Sequence, residues 1–119
     1  MDTIISDTTE DSVTRLVERF YDRVRADDRL GPIFTSAVSD WDAHMTVMRD
    51  FWSAVLLDTE RYRGCVMSSH FDVPLTQADL DRFLELFGPT ATETLPPYAA
   101  KRAIAAAESI TQGLRRMAR

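Results

Sequence analysis

The sequence predicts an all-α domain of about four main helices joined by short turns. Apolar residues recur at three- and four-residue steps in several stretches, which is the period of one face of an α-helix. Typical helix start and stop residues flank these stretches, and we find no strand-like alternation of apolar and polar residues. With 119 residues, 45% of them hydrophobic, the chain is expected to form one domain over residues 1–119.

The first helix is expected to follow a loose N-terminal segment, residues 1–10, with Thr8, Thr9 or Asp11 as its cap. Its apolar face consists of Val13, Leu16, Val17, Phe20, Tyr21 and Val24. Because Tyr21 lies on this face, its hydroxyl points inward and needs a partner. Tyr21 is therefore either an ordinary core tyrosine or a group that faces a ligand.

A turn with apolar anchors is expected over 30–34, where Gly31 permits bending and Pro32 fixes φ, and residues 36–40 are expected to be a connector. Asp40 or Asp42 then starts the second long helix. Its apolar stripe consists of Trp41, Met45, Met48, Phe51, Trp52, Val55 and Leu56. His44 lies on the same stripe. In a purely apolar core, burying His44 without a hydrogen bond would lower the stability of the fold by about 1–3 kcal/mol. In the wall of a pocket, His44 can instead bond to a ligand.

The least regular stretch, 57–74, contains His70 and precedes the last two helices. Thr76 and Asp79 form an Asp variant of the capping box, and Gly88 with Pro89 is expected to end that helix. Its apolar face consists of Leu80, Phe83, Leu84, Leu86 and Phe87. Pro96 and Pro97 start the final helix. Its buried side is expected to contain Tyr98, Ile104, Ala107, Ile110, Leu114 and Met117.

Charge and composition exclude several classes of partner. The formal net charge is -5, which disfavours binding to nucleic acid or to an anionic membrane. A single cysteine, Cys65, has no partner for an intrachain disulfide, so a cytoplasmic location is expected. The acidic start and the absence of a long apolar run exclude an ordinary secretion signal and a transmembrane span.

Few catalytic patterns are present. No Gly-rich phosphate loop follows a strand, and two histidines with one cysteine fall short of a closed zinc site. What remains is His44, His70 and the inward Tyr21 in a domain rich in aromatic residues and methionine. Haem needs little more than one axial imidazole, apolar walls and a few polar groups. His70 can instead be a structural histidine, because a lone histidine among apolar residues is common in protein cores.

Several segments together resemble the truncated haemoglobins, specifically group III, the P-type branch. The joint spacing of these segments is specific, and the resemblance covers roughly residues 12–87. The segments are Phe20-Tyr21, Val24-Arg25, Leu30 to Phe34, Trp41 with His44, Phe51-Trp52, Tyr62 with Gly64 and His70, and Leu80 to Phe87.

The resemblance implies a two-over-two helical sandwich around haem b, with His70 as the iron ligand. It implies that Tyr21, His44 and Met48 lie on the distal side. Porphyrin contacts would come from Phe34, Phe51, Trp52 and Tyr62. At the position of Phe83 the family usually has a tryptophan, whose N–H can donate to a bound gas, whereas a phenyl ring cannot.

The function implied is binding of O₂, NO, CO or a similar small ligand. Three uses stay open at this point: redox chemistry on nitric oxide or peroxide with an electron-donating reductase, gas storage or sensing without turnover, and a helical interaction domain that has lost haem. His44 either gates the pocket or serves as a second axial ligand.

Overall fold

The computed structural model describes residues 8–59 and 75–116. These residues form five helices: α1 (Glu10–Ala26), α2 (Leu30–Ala37), α3 (Trp41–Leu57), α4 (Gln77–Thr94) and α5 (Pro97–Arg115). The described part of the chain contains no strand, which confirms the all-α prediction. None of its helices is both long enough and apolar enough to cross a bilayer.

The four long helices pack as two layers. Helix α1 lies against α3 in one layer, and α4 lies against α5 in the other. The layers meet where α1 packs on α4 and where α3 packs on α5, while the short α2 packs on α1. This is a two-over-two arrangement, and every predicted apolar position of α1 lies in its core.

Three predicted helix starts are confirmed by their hydrogen bonds. The Thr9 hydroxyl accepts the Ser12 N–H, and the Asp40 carboxylate accepts the Ala43 N–H. At α4, Thr76 and Asp79 form a reciprocal capping box. Each bond satisfies a backbone donor that has no acceptor within the helix. Since α1 begins at Glu10 with Thr9 as its cap, the N-terminal segment ends earlier than the predicted 1–10.

The predicted turn over 30–34 is wrong, because these residues begin α2 and raise the number of helices to five. The carboxylate of Asp27 accepts the N–H groups of Arg29 and Leu30, at 3.0 and 2.9 Å. Pro32 is tolerated because the first-turn residues of a helix need no intrahelical acceptor for their N–H groups. The helix extends to Ala37, which shortens the predicted connector at 36–40.

Gly88 and Pro89 do not end α4, which continues to Thr94. An interior proline costs about 3 kcal/mol, partly by removing the bond to the carbonyl four residues earlier. That carbonyl belongs to Glu85. Because Glu85 and Pro89 both lie on the exposed side of α4, water can donate a hydrogen bond to this carbonyl instead. Beyond the proline, Thr90, Ala91 and Thr94 are buried, and this packing keeps the helix continuous.

The buried face of α5 differs from the predicted one at its start. Tyr98 is 69% exposed, so its assignment to the buried side is wrong. The buried positions follow steps of mostly four residues along the opposite side: Ala99, Ala100, Ala103, Ala107 and Thr111. Because these residues are small, α5 can approach α4 closely, as the alanine content indicated. Met117 lies outside the described residues.

Candidate functional site

A cavity lies between the two helical layers. It encloses about 470 Å³ of space not filled by atoms, part of it open to solvent. We call it the aromatic cavity, because six of its lining residues are phenylalanine, tyrosine or tryptophan. The lining residues are Phe20, Tyr21, Met48, Phe51, Trp52, Leu75, Leu80, Phe83, Phe87, Ala107, Ile110, Thr111 and Leu114.

Ring contacts hold the walls of the aromatic cavity in place. Phe20 meets Tyr21, Phe83 and Phe87 edge to face, with centroids 5.0, 4.8 and 5.2 Å apart. Trp52 stacks on Phe87 at 5.0 Å and 24°. Each such pair adds about 0.5–1.5 kcal/mol beyond the burial of its area. Helices α1, α3 and α4 therefore meet through interlocked rings at this wall.

Few polar atoms face the aromatic cavity. Among the described lining residues they come from the phenol of Tyr21, the indole of Trp52 and the hydroxyl of Thr111. The Thr111 hydroxyl donates to the Glu108 carbonyl at 2.9 Å, so it already has an acceptor. Burial raises the pKa of the Tyr21 phenol above its ordinary value. Tyr21 therefore stays protonated and can act as a hydrogen-bond donor at neutral pH.

A second group of rings also contacts Tyr21. His44 meets Tyr21 edge to face at 4.9 Å, Trp41 meets it at 6.1 Å, and Phe34 meets it at 6.3 Å. The residue Phe34 is fully buried and stacks on Phe83 at 6.4 Å. His44 and Trp41, at the start of α3, thus contact a residue that lines the aromatic cavity but are not themselves among the lining residues.

The structure brings most of the sequence-predicted residues together. Tyr21, Met48, Phe51, Trp52 and Phe83 line the aromatic cavity, while Phe34 and His44 contact Tyr21 and are not among the lining residues. His70 and Tyr62 lie outside the described residues. Within the described ranges, no group of three or more His, Cys, Asp or Glu side chains is arranged to hold a metal ion.

Eight further lining residues were not predicted as site residues. Phe20, Leu80 and Phe87 were assigned only to the apolar faces of their helices, as were Ala107, Ile110 and Leu114. Periodicity identifies the inward face of each helix but not which part of that face borders a space. Leu75 and Thr111 belonged to no predicted apolar face, and no signal in the sequence indicated either.

Two ion pairs position the wall that α4 contributes. Arg29 donates to Asp79 at 2.7 Å, and Arg82 donates to Asp27 through Nε at 2.8 Å. The side chains of Asp27 and Asp79 are each only 6% exposed. These pairs fix the first turns of α4 to the turn between α1 and α2, close to Leu80 and Phe83.

Both carboxylates are held in their ionised form. Burial opposes the charge of Asp79, but hydrogen bonds from Thr76 and Arg29 outweigh it, so the pKa of Asp79 lies below its usual value. Burial likewise opposes the charge of Asp27, and hydrogen bonds from Arg82, Leu30 and Arg29 lower the pKa of that carboxyl. Both groups therefore stay charged and bonded at neutral pH.

Two comparisons found similar proteins. A protein of Campylobacter jejuni described as "Group 3 truncated hemoglobin ctb" is 35% identical over 83 residues, which are 66% of this chain and 65% of that protein. The aligned part of the chain thus spans just under two thirds of that relative's length. The crystal structure of group III truncated hemoglobin from Campylobacter jejuni superimposes with a TM-score of 0.83 and 29% identity, covering 94% of this chain and 92% of the other. No protein-family model matches the chain.

Proposed function

Because this chain belongs to the group III truncated haemoglobins and has their fold, we propose that it binds haem in the aromatic cavity and, with it, a small diatomic gas. The observation that carries the proposal is the cavity itself, walled by aromatic, methionine and leucine side chains between the two helical layers. Cofactor sites are concave and mostly apolar, with a few convergent polar groups. Tyr21 is such a polar group.

The described residues fit a flat, apolar group such as porphyrin. The lining consists almost entirely of aromatic and other apolar side chains, as is typical of cofactor pockets. The stacked pair Trp52 and Phe87 offers a planar wall, and Met48 and Leu80 are flexible apolar contacts. When bound, haem b would supply an iron centre that holds O₂, NO, CO or a similar ligand.

In this proposal His70 is the residue that ligates the iron, and Tyr62 is a porphyrin contact. Both assignments come from the sequence, since these residues lie outside the described part of the chain. Tyr21 donates a hydrogen bond to a gas held in the cavity. His44, which contacts Tyr21, controls access from solvent in this proposal.

The absorbance spectrum of the purified protein tests haem binding, recorded with and without dithionite and CO after haem is supplied. We expect a strong Soret band that shifts with CO. His70→Ala should change the absorbance bands that report on iron coordination, whereas the His44→Ala variant should still bind haem. A colourless wild type, or a His70→Ala protein with an unchanged spectrum, would contradict the proposal.

We further propose that the protein uses the bound gas in redox chemistry on nitric oxide or peroxide, with a separate reductase as electron donor. Tyr21 supports this use, because a buried, protonated phenol that lines an apolar site can stabilise negative charge that develops on a ligand. Nitric oxide consumption in the presence of O₂ and a cellular reductase tests it. Stoichiometric consumption without turnover would leave gas storage or sensing as the function.

A further inference from the structure

Four side chains form a continuous series from solvent to the aromatic cavity. The exposed guanidinium of Arg25 lies over the Trp41 ring, 4.6 Å from its centroid. The Trp41 ring meets His44 edge to face at 5.5 Å, and His44 meets Tyr21 in the same way at 4.9 Å and 89°. Tyr21 in turn lines the cavity. The contact between Arg25 and Trp41 is therefore the outermost of a series of side-chain contacts, and the innermost residue of that series lines the cavity proposed to hold the ligand.

The helices place these four residues as two interlocking pairs. Tyr21 and Arg25 are four residues apart on α1, and Trp41 and His44 are three residues apart at the start of α3. Such spacings put each pair on one face of its helix. The partly buried indole of Trp41 consequently contacts Arg25, Tyr21 and His44 at once.

We propose that Arg25 is a positioning residue that keeps this side of the site closed. Its guanidinium holds Trp41 against His44, and Trp41 holds His44 against Tyr21. Loss of the guanidinium frees Trp41 and lets His44 leave Tyr21 more often, which opens a route for gas into the aromatic cavity. The inference rests on the proposed function, because it concerns entry of the gas that the haem-loaded protein would bind.

CO rebinding after flash photolysis tests the proposal on the haem-loaded, full-length protein. Arg25→Gln should raise the association rate about two- to fivefold, a small factor because exposed cation–π pairs are weak. Arg25→Lys keeps a cation and should restore part of the wild-type rate. Arg15→Gln, at an exposed position of the same helix, is the matched control and should leave the rate unchanged.

Acrylamide quenching of tryptophan fluorescence provides a second readout on the full-length chain before haem is added. The chain has two tryptophans, and Trp52 is only 6% exposed, so a change in quenching reports mainly on Trp41. Arg25→Gln should increase the quenching, and Arg15→Gln should not.

The outcomes separate the two proposals. A wild type without a Soret band contradicts the proposed function, and this is visible before any Arg25 variant is compared. In a fully haem-loaded Arg25→Gln protein, a wild-type CO association rate would overturn the positioning role. Wild-type tryptophan quenching in the same variant before haem is added would overturn it too. An equal increase in Arg15→Gln would also overturn it, because the effect would then follow from charge alone.

Discussion

The rings of Tyr21 and His44 meet edge to face, with centroids 4.9 Å apart and planes at 89°. The contact joins α1 to the first turn of α3, and His44 itself is not among the residues that line the aromatic cavity. Tyr21 is 3% exposed. Of these two polar residues, only Tyr21 lines the aromatic cavity, so the phenol rather than the imidazole is the one placed to donate to a ligand there.

Replacing Tyr21 by phenylalanine should speed O₂ dissociation by about tenfold or more. A hydrogen bond to a ligand with partial negative charge contributes about 1.5–3 kcal/mol, and 1.4 kcal/mol corresponds to a factor of ten. Stopped-flow displacement of O₂ measures the rate. Tyr98→Phe is the matched control, because Tyr98 is 69% exposed on α5 and should leave the rate unchanged. An unaltered O₂ dissociation rate in Tyr21→Phe would show that the phenol does not hydrogen-bond to the bound gas.

A tryptophan at position 83 should slow O₂ dissociation, by up to about tenfold. Phe83 lines the aromatic cavity and meets Phe20 at 4.8 Å, so an indole there would bring an N–H donor to the cavity wall. The larger ring should also lower the free energy of unfolding by about 1–3 kcal/mol through overpacking. Stopped-flow kinetics and urea denaturation measure the two effects.

Phe83→Leu provides the control for altered packing, since it changes the wall but adds no donor. Slower dissociation in Phe83→Leu as well would attribute the change to packing. Faster dissociation in Phe83→Trp would show that the indole N–H points away from the ligand or displaces the Tyr21 phenol.

Local signals predicted most of the fold. The Thr76 and Asp79 capping box forms as predicted, because its two hydrogen bonds need only residues three positions apart. The same local reasoning failed at Pro89, where buried contacts of Thr90 and Thr94 with other helices outweigh the cost of the proline. Those contacts depend on packing between α1, α4 and α5, which the local pattern of residues does not contain.

Helical faces predicted which residues line the cavity only in part. Tyr21 and Met48 follow from the apolar stripes of α1 and α3, and both line the aromatic cavity. Depth along a stripe was not predictable: Phe34 and His44 contact Tyr21 but are not among the lining residues, and their expected place at a ligand stays a prediction. Which side chain fronts the cavity depends on how closely α1, α2 and α3 approach, and spacing within one helix does not determine this distance.

Two glycine-to-alanine substitutions should change stability in opposite directions. Gly88 lies inside α4, and within the described part of the chain a Cβ built there meets no atom within 4 Å. Gly88→Ala should therefore raise the free energy of unfolding by about 0.5–1 kcal/mol. At Gly31 a Cβ would lie 2.6 Å from the backbone oxygen of Arg25, so Gly31→Ala should lower the free energy of unfolding by about 1–3 kcal/mol.

Urea denaturation of the two variants and the wild type, in the same haem state, measures both effects. Because the chemical change is identical, each variant serves as the control for the other. Loss of stability in Gly88→Ala would mean that α4 is not a continuous helix through Gly88 and Pro89. A neutral Gly31→Ala would mean that the start of α2 lies farther from α1 than the structure places it.

Asp79→Asn should lower the free energy of unfolding at pH 7, and this loss should become smaller as the pH falls. Because hydrogen bonds from Thr76 and Arg29 outweigh burial, the pKa of Asp79 is below its usual value in the folded chain. Its contribution to stability is thus fully present above the unfolded pKa of about 3.9, and it is lost as the pH falls through the folded pKa. We expect a loss of about 1–2 kcal/mol at pH 7, since the Arg29 side chain is 50% exposed and solvent weakens the ion pair.

Urea denaturation at pH 7 and at intervals from pH 5 to 2.5 follows the difference in the free energy of unfolding between wild type and Asp79→Asn. This difference should shrink below pH 4, because asparagine has no proton to gain there while the wild-type carboxylate does. Asp28→Asn, at an exposed position in the turn before α2, should track the wild type over the whole range. A difference that stays constant down to pH 2.5 would show that the bonds of Asp79 to Arg29 and Thr76 do not depend on its charge.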